Sequence, residues 1–345
     1  MMKRGKSLLN LLWALLLFGF TVYAALDTFV IQRSYVVVEE AAPIAQAAKP
    51  DPYAETVVEV APAAVPTATA EPAATVAPEI IATPASTAAP EAKATPAPSP
   101  TVISTEDTYS DGNISITIQE LRSYGSTVYV ADVVLSSPEY LQTAFANSVY
   151  GKNVTAKTSN IAAKANAILA INGDYYGARS TGYVIRNGVL YRSKANRNAE
   201  DLVIYRDGSF GIINESLISA QELVDGGAWN VLSFGPALLI DGEIAVDAKD
   251  EVGRAMASNP RTAIGIVDDL HYLFVVSDGR TNASDGLSLK ELAQVLQDLG
   301  ARTAYNLDGG GSSTMVFQGR VVNKPTSNGK RITERSVSDI VCIAS

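Results

Sequence analysis

The sequence predicts an α+β fold of mixed or antiparallel β-sheets with a few helices, in one domain that comes after an N-terminal anchor and a disordered linker. Three observations predict it. Twelve of the 16 prolines fall between residues 41 and 102 of the 345, so composition separates a linker from residues 103–345. Beyond the linker, short β-branched runs alternate with two-residue turns. One stretch, Ser288–Leu299, carries a clear helical stripe.

The N-terminal part, 1–40, opens with Lys3, Arg4 and Lys6 ahead of an apolar run from Leu8 to Leu26. That is close to the roughly 20 residues a spanning helix needs, and positive charge before it places the rest of the chain outside the cytoplasm. The expectation is a single-pass membrane anchor with the domain extracellular. The small residues around Val22-Tyr23-Ala24 offer a cleavable signal, and hence secretion, as the alternative.

Residues 41–102 are dominated by Ala, Pro, Thr, Val and Glu and show neither helical nor strand periodicity. Such a segment buries too little apolar surface to offset its ordering entropy, so a disordered stalk is expected.

Residues 103–345 are long enough for one substantial core. Ile114–Ile118, Val128–Leu135 and Ala167–Ile171 read as strands. Asn187-Gly188, Asp207-Gly208, Asp241-Gly242 and Gln318-Gly319 each sit between apolar runs and suit hairpin turns. Ser288 and Glu291 are spaced as a capping box before Leu289, Leu292, Val295, Leu296 and Leu299, and Gly300 ends that helix. Residues 139–148, 158–166 and 218–225 carry weaker helical patterns.

Charge and cysteine content narrow the function. The chain has 27 basic and 36 acidic residues, a net charge of −9, and the part after residue 102 is itself acidic. That excludes a nucleic-acid partner bound by broad phosphate neutralisation, and any anion must be held by a local site. The single cysteine, Cys342, excludes an intrachain disulfide and a Cys-rich zinc site and reads as a buried small residue. The one histidine, His271, lies in a hairpin-like stretch, so no Ser-His-Asp triad assembles.

Four segments put polar residues and glycines at the ends of apolar strands, where a rigid scaffold carries a site. They are Asn172-Gly173-Asp174-Tyr175-Tyr176; Gly235-Pro236-Ala237; Arg261 opening the strand Arg261–Ile266, with Asp278-Gly279-Arg280 ending its partner; and Asn306-Leu307-Asp308-Gly309-Gly310-Gly311-Ser312-Ser313-Thr314. Three consecutive glycines between strands imply a close backbone approach, and their N–H groups offer an anion-binding nest. The spaced Gly-Lys-Ser/Thr ending of a P-loop is missing. Carboxylates, arginine, amides and hydroxyls without a thiolate suit glycosidic or phosphate-ester chemistry better than acyl transfer.

In this order, Asn-Gly-Asp-Tyr-Tyr, Gly-Pro-Ala-Leu-Leu-Ile-Asp-Gly, Asn-Pro-Arg-Thr-Ala-Ile-Gly, Asp-Gly-Arg and Asn-Leu-Asp-Gly-Gly-Gly-Ser-Ser-Thr-Met resemble the phosphodiester glycosidase family. The likeness covers residues 110–345 and runs out through Val321–Pro325 and Glu334–Asp339. It implies hydrolysis of sugar-1-phosphodiester bonds in a cell-surface or exopolysaccharide glycan or glycolipid. The positions it brings forward are Asn172, Asp174, Arg261, Asp278, Arg280, Asp308, Gly309, Gly310, Gly311, Ser312 and Thr314.

On these positions Asp308 is expected to act at the anomeric carbon with Asp174 or Asp278 as partner. Arg261, the glycine nest and Ser312 are expected to hold the phosphate, with Asn172, Arg280 and Thr314 beside them. The sequence leaves a metal requirement open. Asp174, Asp278 and Asp308 supply hard oxygen ligands, so Ca²⁺ or Mg²⁺ is an alternative use of the same side chains. The competing reading is a non-catalytic wall- or exopolysaccharide-binding module.

Overall fold

A computed structural model describes residues 2–34, 102–197, 199–246 and 258–345. The segment expected to form a stalk, 41–102, lies outside them except for Val102. Residues 103–345 build three antiparallel sheets around one core, an α+β domain as expected.

The largest sheet has nine strands in the spatial order Glu243–Ile244, Ala237–Ile240, Thr303–Asn306, Arg261–Asp268, His271–Ser277, Ser126–Leu135, Ile114–Ser123, Thr108–Ser110 and Ile103–Ser104. A five-stranded sheet runs Arg320–Val321, Met315–Phe317, Leu169–Asn172, Asp339–Ile343, Leu141–Phe145. Another runs Val189–Arg192, Val184–Arg186, Ala228–Leu232, Glu200–Tyr205, Phe210–Asn214.

Side chains alternate across a strand, and that alternation assigns the faces. In Ser126–Leu135, Tyr129, Ala131, Val133 and Leu135 enter the core shared by all three sheets, with Leu169, Ile171, Leu202, Ile204, Phe274 and Phe317. Val128 and Val130 face the other way, against Leu289, Leu292, Val295 and Leu296 of the helix Leu289–Asp298. The helices Thr158–Lys164 and Ala220–Asp225 cover the outer faces of the two smaller sheets in the same way.

The turns match the sequence closely. Asn187-Gly188, Asp241-Gly242 and Gln318-Gly319 have both residues at positive φ, and Gly208 closes the fourth hairpin at φ 86°. Ser288 accepts from the Glu291 N–H while the Glu291 carboxylate accepts from the Ser288 N–H, the expected capping box. Cys342 is a buried free thiol.

One helical expectation is corrected. Residues 139–148 form the strand Leu141–Phe145 between two 3₁₀ turns, because Leu141 to Phe145 pair in register with Ile343 to Asp339. A partner some 200 positions away overrides the local pattern.

The N-terminal apolar run is helical, Met2–Phe29, with Trp13, Leu16, Phe18 and Phe20 exposed. Among the described residues no helix is long and apolar enough to cross a membrane, so the expected anchor finds no support in the described structure. The described apolar stretch stops at Asp27, whose carboxylate pairs with Arg33 and, at 3.3 Å, with Lys152. Arg33–Ser34 then pairs with Gly151–Lys152, and the Asn153 amide donates to the Asp27 and Ile31 carbonyls at 3.1 and 3.0 Å.

Ser288→Ala is expected to cost about 1 kcal/mol through the lost cap, and Leu292→Ala roughly 2–5 kcal/mol through a core cavity. Denaturant unfolding measures both; equal losses would contradict the assignment of one to a helix end and the other to the core.

Candidate active site

Three chain segments meet at one end of the sheets, and Asn172 joins them. Its Nδ2 donates to the Asp308 carbonyl at 2.6 Å and the Gly173 carbonyl at 3.3 Å. Its Oδ1 accepts from Thr262 Oγ1 at 2.8 Å and from the Thr314 N–H at 3.2 Å. Asn172 is completely buried, which makes each bond costly to leave unmade. The Asp308 N–H closes the junction on the Gly173 carbonyl at 3.3 Å.

Asp308 projects from this junction into a cleft of about 200 Å³ lined also by Asn153, Thr155, Asp174, Tyr175, Arg335 and Ser338. Ser312 Oγ donates to Asp308 Oδ2 at 2.6 Å. Arg335 Nη2 reaches Oδ2 at 2.9 Å and Oδ1 at 3.2 Å, and Arg335 Nε reaches Ser312 Oγ at 2.8 Å. Burial raises the Asp308 carboxyl above its ordinary range, while Arg335, Ser312 and the Gly309 N–H pull it back. A carboxylate so placed, at a cleft and partly desolvated, is suited to acid–base or nucleophilic work.

Asp174 shares the cleft wall but is committed elsewhere. Its Oδ1 accepts from the Tyr176 N–H at 2.9 Å, and its Oδ2 accepts from Arg186 Nη2 at 2.8 Å and the Ser233 N–H at 2.9 Å. The same guanidinium holds Asp339 Oδ2 through Nε and Nη2 at 2.9 and 2.8 Å, all three side chains being buried. Burial alone would lower Arg186, but Asp174 and Asp339 more than reverse it. Burial and the Asp174 carboxylate raise Asp339, since one guanidinium faces two acids. A Cβ on Gly173 would sit 2.3 Å from Asp339 Oδ1, so this position needs glycine.

The other expected residues stand apart from the cleft. Asp278 is buried, accepting from the Lys324 N–H at 2.8 Å and Asn323 Nδ2 at 3.2 Å, and burial raises its carboxyl. Arg261 is buried with Nε on the Leu287 carbonyl at 2.8 Å. Arg280 holds the Ser327 carbonyl at 2.7 Å and Asn259 Oδ1 at 2.8 Å beside Gly310. The Thr314 N–H and carbonyl bracket Asn172.

The glycine run also differs from the expected anion nest. The Gly310 N–H donates to the Pro260 carbonyl at 2.8 Å and the Gly309 N–H supports Asp308. Gly310 takes φ 63°, and a Cβ on Gly311 would meet Ser327 Oγ at 2.2 Å. The run is a tight turn that carries Asp308. Among the described residues no group of three or more acidic, histidine or cysteine side chains could hold a metal ion, so Asp174, Asp278 and Asp308 do not converge on one.

Sequence reasoning assigned no role to Arg335, the one cation among the described residues lining the cleft. Its signal was the segment Glu334–Asp339. Glu334 fixes that segment by accepting from the Ser159 N–H at 2.9 Å and Ser159 Oγ at 2.6 Å, and the Arg335 N–H donates to the Gly311 carbonyl at 3.2 Å. Tyr175, 42% exposed at the rim, adds an aromatic face.

Residues 165–344 match the family model described as phosphodiester glycosidase. Over 205 residues the chain is 29% identical to the SPbeta prophage-derived uncharacterized protein YomE of Bacillus subtilis strain 168, covering 57% of this chain and 31% of that protein. It is 26% identical over 205 residues to the mouse N-acetylglucosamine-1-phosphodiester alpha-N-acetylglucosaminidase, covering 54% of this chain and 40% of the enzyme. The chain thus spans less than half the length of these relatives. The fold is similar to the zebrafish N-acetylglucosamine-1-phosphodiester alpha-N-acetylglucosaminidase catalytic domain auto-inhibited by pro-peptide, with a TM-score of 0.54 and 23% identity over 67% of this chain and 83% of that one.

Arg186→Met strands two buried acids and is expected to cost on the order of 3–5 kcal/mol. Acids whose folded pKa lies above the unfolded value bind protons more tightly when folded, so stability falls as pH rises. Asp339 is already raised to about 7 in the parent and loses the guanidinium that restrains it, so the variant's deficit should grow from about pH 6, below that value, to about pH 8, above it. Urea melts at both ends measure it, and a deficit independent of pH would contradict the charge account.

Proposed function

The chain belongs to the phosphodiester glycosidase family, and from that premise we propose that it hydrolyses the bond between the anomeric carbon of a sugar and the oxygen of a phosphodiester. The observation that carries this reading is Asp308, a buried carboxylate lining the cleft with the guanidinium of Arg335 beside it. In the proposed step, the oxygen of a water forms a bond to the anomeric carbon as the bond to the phosphate oxygen breaks. The electron pair leaves with the phosphate monoester and Asp308 takes the water proton. Phosphate needs little protonation to leave once its charge is met, and Arg335 is the cation that meets it.

Asp174 is a wall-positioning residue in this scheme, since Arg186, Tyr176 and Ser233 engage its oxygens. Asn172 and Ser312 position Asp308. In this reading Arg280, beside Gly310, supports the turn that carries Asp308, and Arg261 and Asp278 hold the surrounding backbone at the Leu287 carbonyl and the Lys324 N–H. Tyr175 offers the sugar an apolar face against which a ring can stack.

The substrate proposed is a glycan or glycolipid phosphodiester at the cell surface or in an exopolysaccharide. Support for that location comes from the basic N-terminus and the apolar run after it. In this reading residues 103–345 act as the catalytic domain, 41–102 as a spacer and 1–40 as the membrane-proximal segment.

Release of reducing sugar from a panel of methyl sugar-1-phosphodiesters tests the reading. Asp308→Asn is expected to lower kcat by roughly 10²–10⁴-fold with an unchanged circular dichroism spectrum. Activity within a few-fold of the parent, or glycan binding without product, would contradict it.

The pH profile provides a second check. Because burial raises Asp308, and activity needs its ionised form, kcat/KM should fall with acidification through a pKa above the ordinary carboxylate value of about 3.9. A profile flat down to about pH 4 would exclude Asp308 as the titrating group.

A further inference from the structure

Arg335 and Asp308 are unequal partners. The carboxylate is the buried member, its side chain 11% exposed, and its backbone is locked at both ends by Gly173 and Asn172. The guanidinium is 45% exposed. Its main chain is fixed by the Gly311 carbonyl, and the neighbouring Glu334 carboxylate is fixed on Ser159. With the main chain fixed, any displacement of the guanidinium falls to the long, half-exposed side chain.

The contacts also show what the guanidinium lacks. Nη2 serves Asp308, Ser312 Oγ at 2.6 Å and the Gly309 carbonyl at 3.3 Å, and Nε serves Ser312 Oγ. Nη1 has no hydrogen bond to the described residues. An arginine fork matches two oxygens on one acceptor group, and a phosphodiester presents two non-bridging oxygens of that kind. Nη2 has two N–H donors and already faces Asp308, Ser312 and the Gly309 carbonyl, so a bidentate grip on a phosphate through Nη1 and Nη2 requires it to give up part of this set.

We infer that Arg335 is a two-position residue that rests on Asp308 and transfers to the phosphate of an arriving substrate, so that Asp308 is released for chemistry only when an anionic leaving group is bound. This rests on the glycosidase reading and adds selection to it. A neutral glycoside of the same sugar offers no anion, leaves Asp308 ion-paired with Arg335, and is turned over poorly. The covalent step is unchanged: water adds at the anomeric carbon, and the phosphate monoester leaves with the bonding pair. The exchange itself moves an ion-pair partner and breaks no covalent bond.

Two measurements on the full chain test the inference. The first compares kcat/KM for a methyl sugar-1-phosphodiester and for the nitrophenyl glycoside of the same sugar. The parent should prefer the phosphodiester strongly, and Arg335→Met should collapse that ratio by roughly 10²–10³-fold. Arg335→Lys, which keeps the charge and loses the fork, should recover part of it. Equal loss on both substrates in Arg335→Met, or no preference in the parent, overturns the exchange. A parent that releases no sugar from any phosphodiester overturns the glycosidase reading instead.

The second measurement does not need turnover. Dimethyl phosphate, which stays a monoanion at neutral pH, is titrated into the protein in buffers of different ionisation enthalpy. Removing the guanidinium raises the Asp308 affinity for a proton, so at a pH on the acidic limb of the activity profile binding should take up a fraction of a proton in the parent and none in Asp308→Asn, while well above that limb, where Asp308 acts in its ionised form, the uptake should vanish. Binding without proton uptake in the parent on that limb, or no binding at all, overturns the exchange. Saturable binding with uptake supports it even with no turnover.

Discussion

The carboxamide of Asn172 is the constraint on which the site depends. It sits at the end of Leu169–Asn172 and bonds to Thr262 in Arg261–Asp268 and to Asp308 and Thr314 in the turn after Thr303–Asn306. No apolar side chain could satisfy those groups, and an aspartate would oppose the Asp308 carbonyl. Because the junction is buried, the main chain of Asp308 has little freedom. The three glycines after it let the chain turn back closely past Pro260 and Ser327. Packing of the three sheets on one core brings these strand ends to the same place, so the hydrophobic alternation of distant strands indirectly positions one carboxylate.

Electrostatics around that carboxylate are local. A chain of net charge −9 disfavours anions on average, yet among the described residues the cleft has one cation at its mouth. Behind the wall, Arg186 is spent on Asp174 and Asp339, so buried positive charge in that triad is already neutralised. Arg335 differs because its side chain is half in solvent and lines the cleft instead of lying behind its wall. Burial of Asp308 and exposure of Arg335 together place an accessible cation at the cleft without a basic surface.

The sequence made much of the fold legible, and the reason is local physics. Asn187-Gly188 and Asp241-Gly242 encode turns because few residue pairs tolerate two positive φ angles. Ser288 and Glu291 encode a helix start through bonds three residues apart. Residues 139–148 misled because their state is set by the strand Asp339–Ile343. The same distinction governs the site. Asp308 and its glycines were visible as a costly local pattern, whereas Arg335 acquires its role only when the chain returns across the Gly311 carbonyl. Asp278 and Asp174 looked like catalytic partners at strand ends. Only their folded neighbours show that Lys324 and Arg186 engage them.

The central claim is that the chain breaks the bond at the anomeric carbon, with Asp308 activating the water. Hydrolysis of a methyl sugar-1-phosphodiester in water labelled with heavy oxygen tests it most directly, read by mass spectrometry of both products. Cleavage at the anomeric carbon puts the label in the released sugar and none in the methyl phosphate. Label in the phosphate would show attack at phosphorus and contradict it.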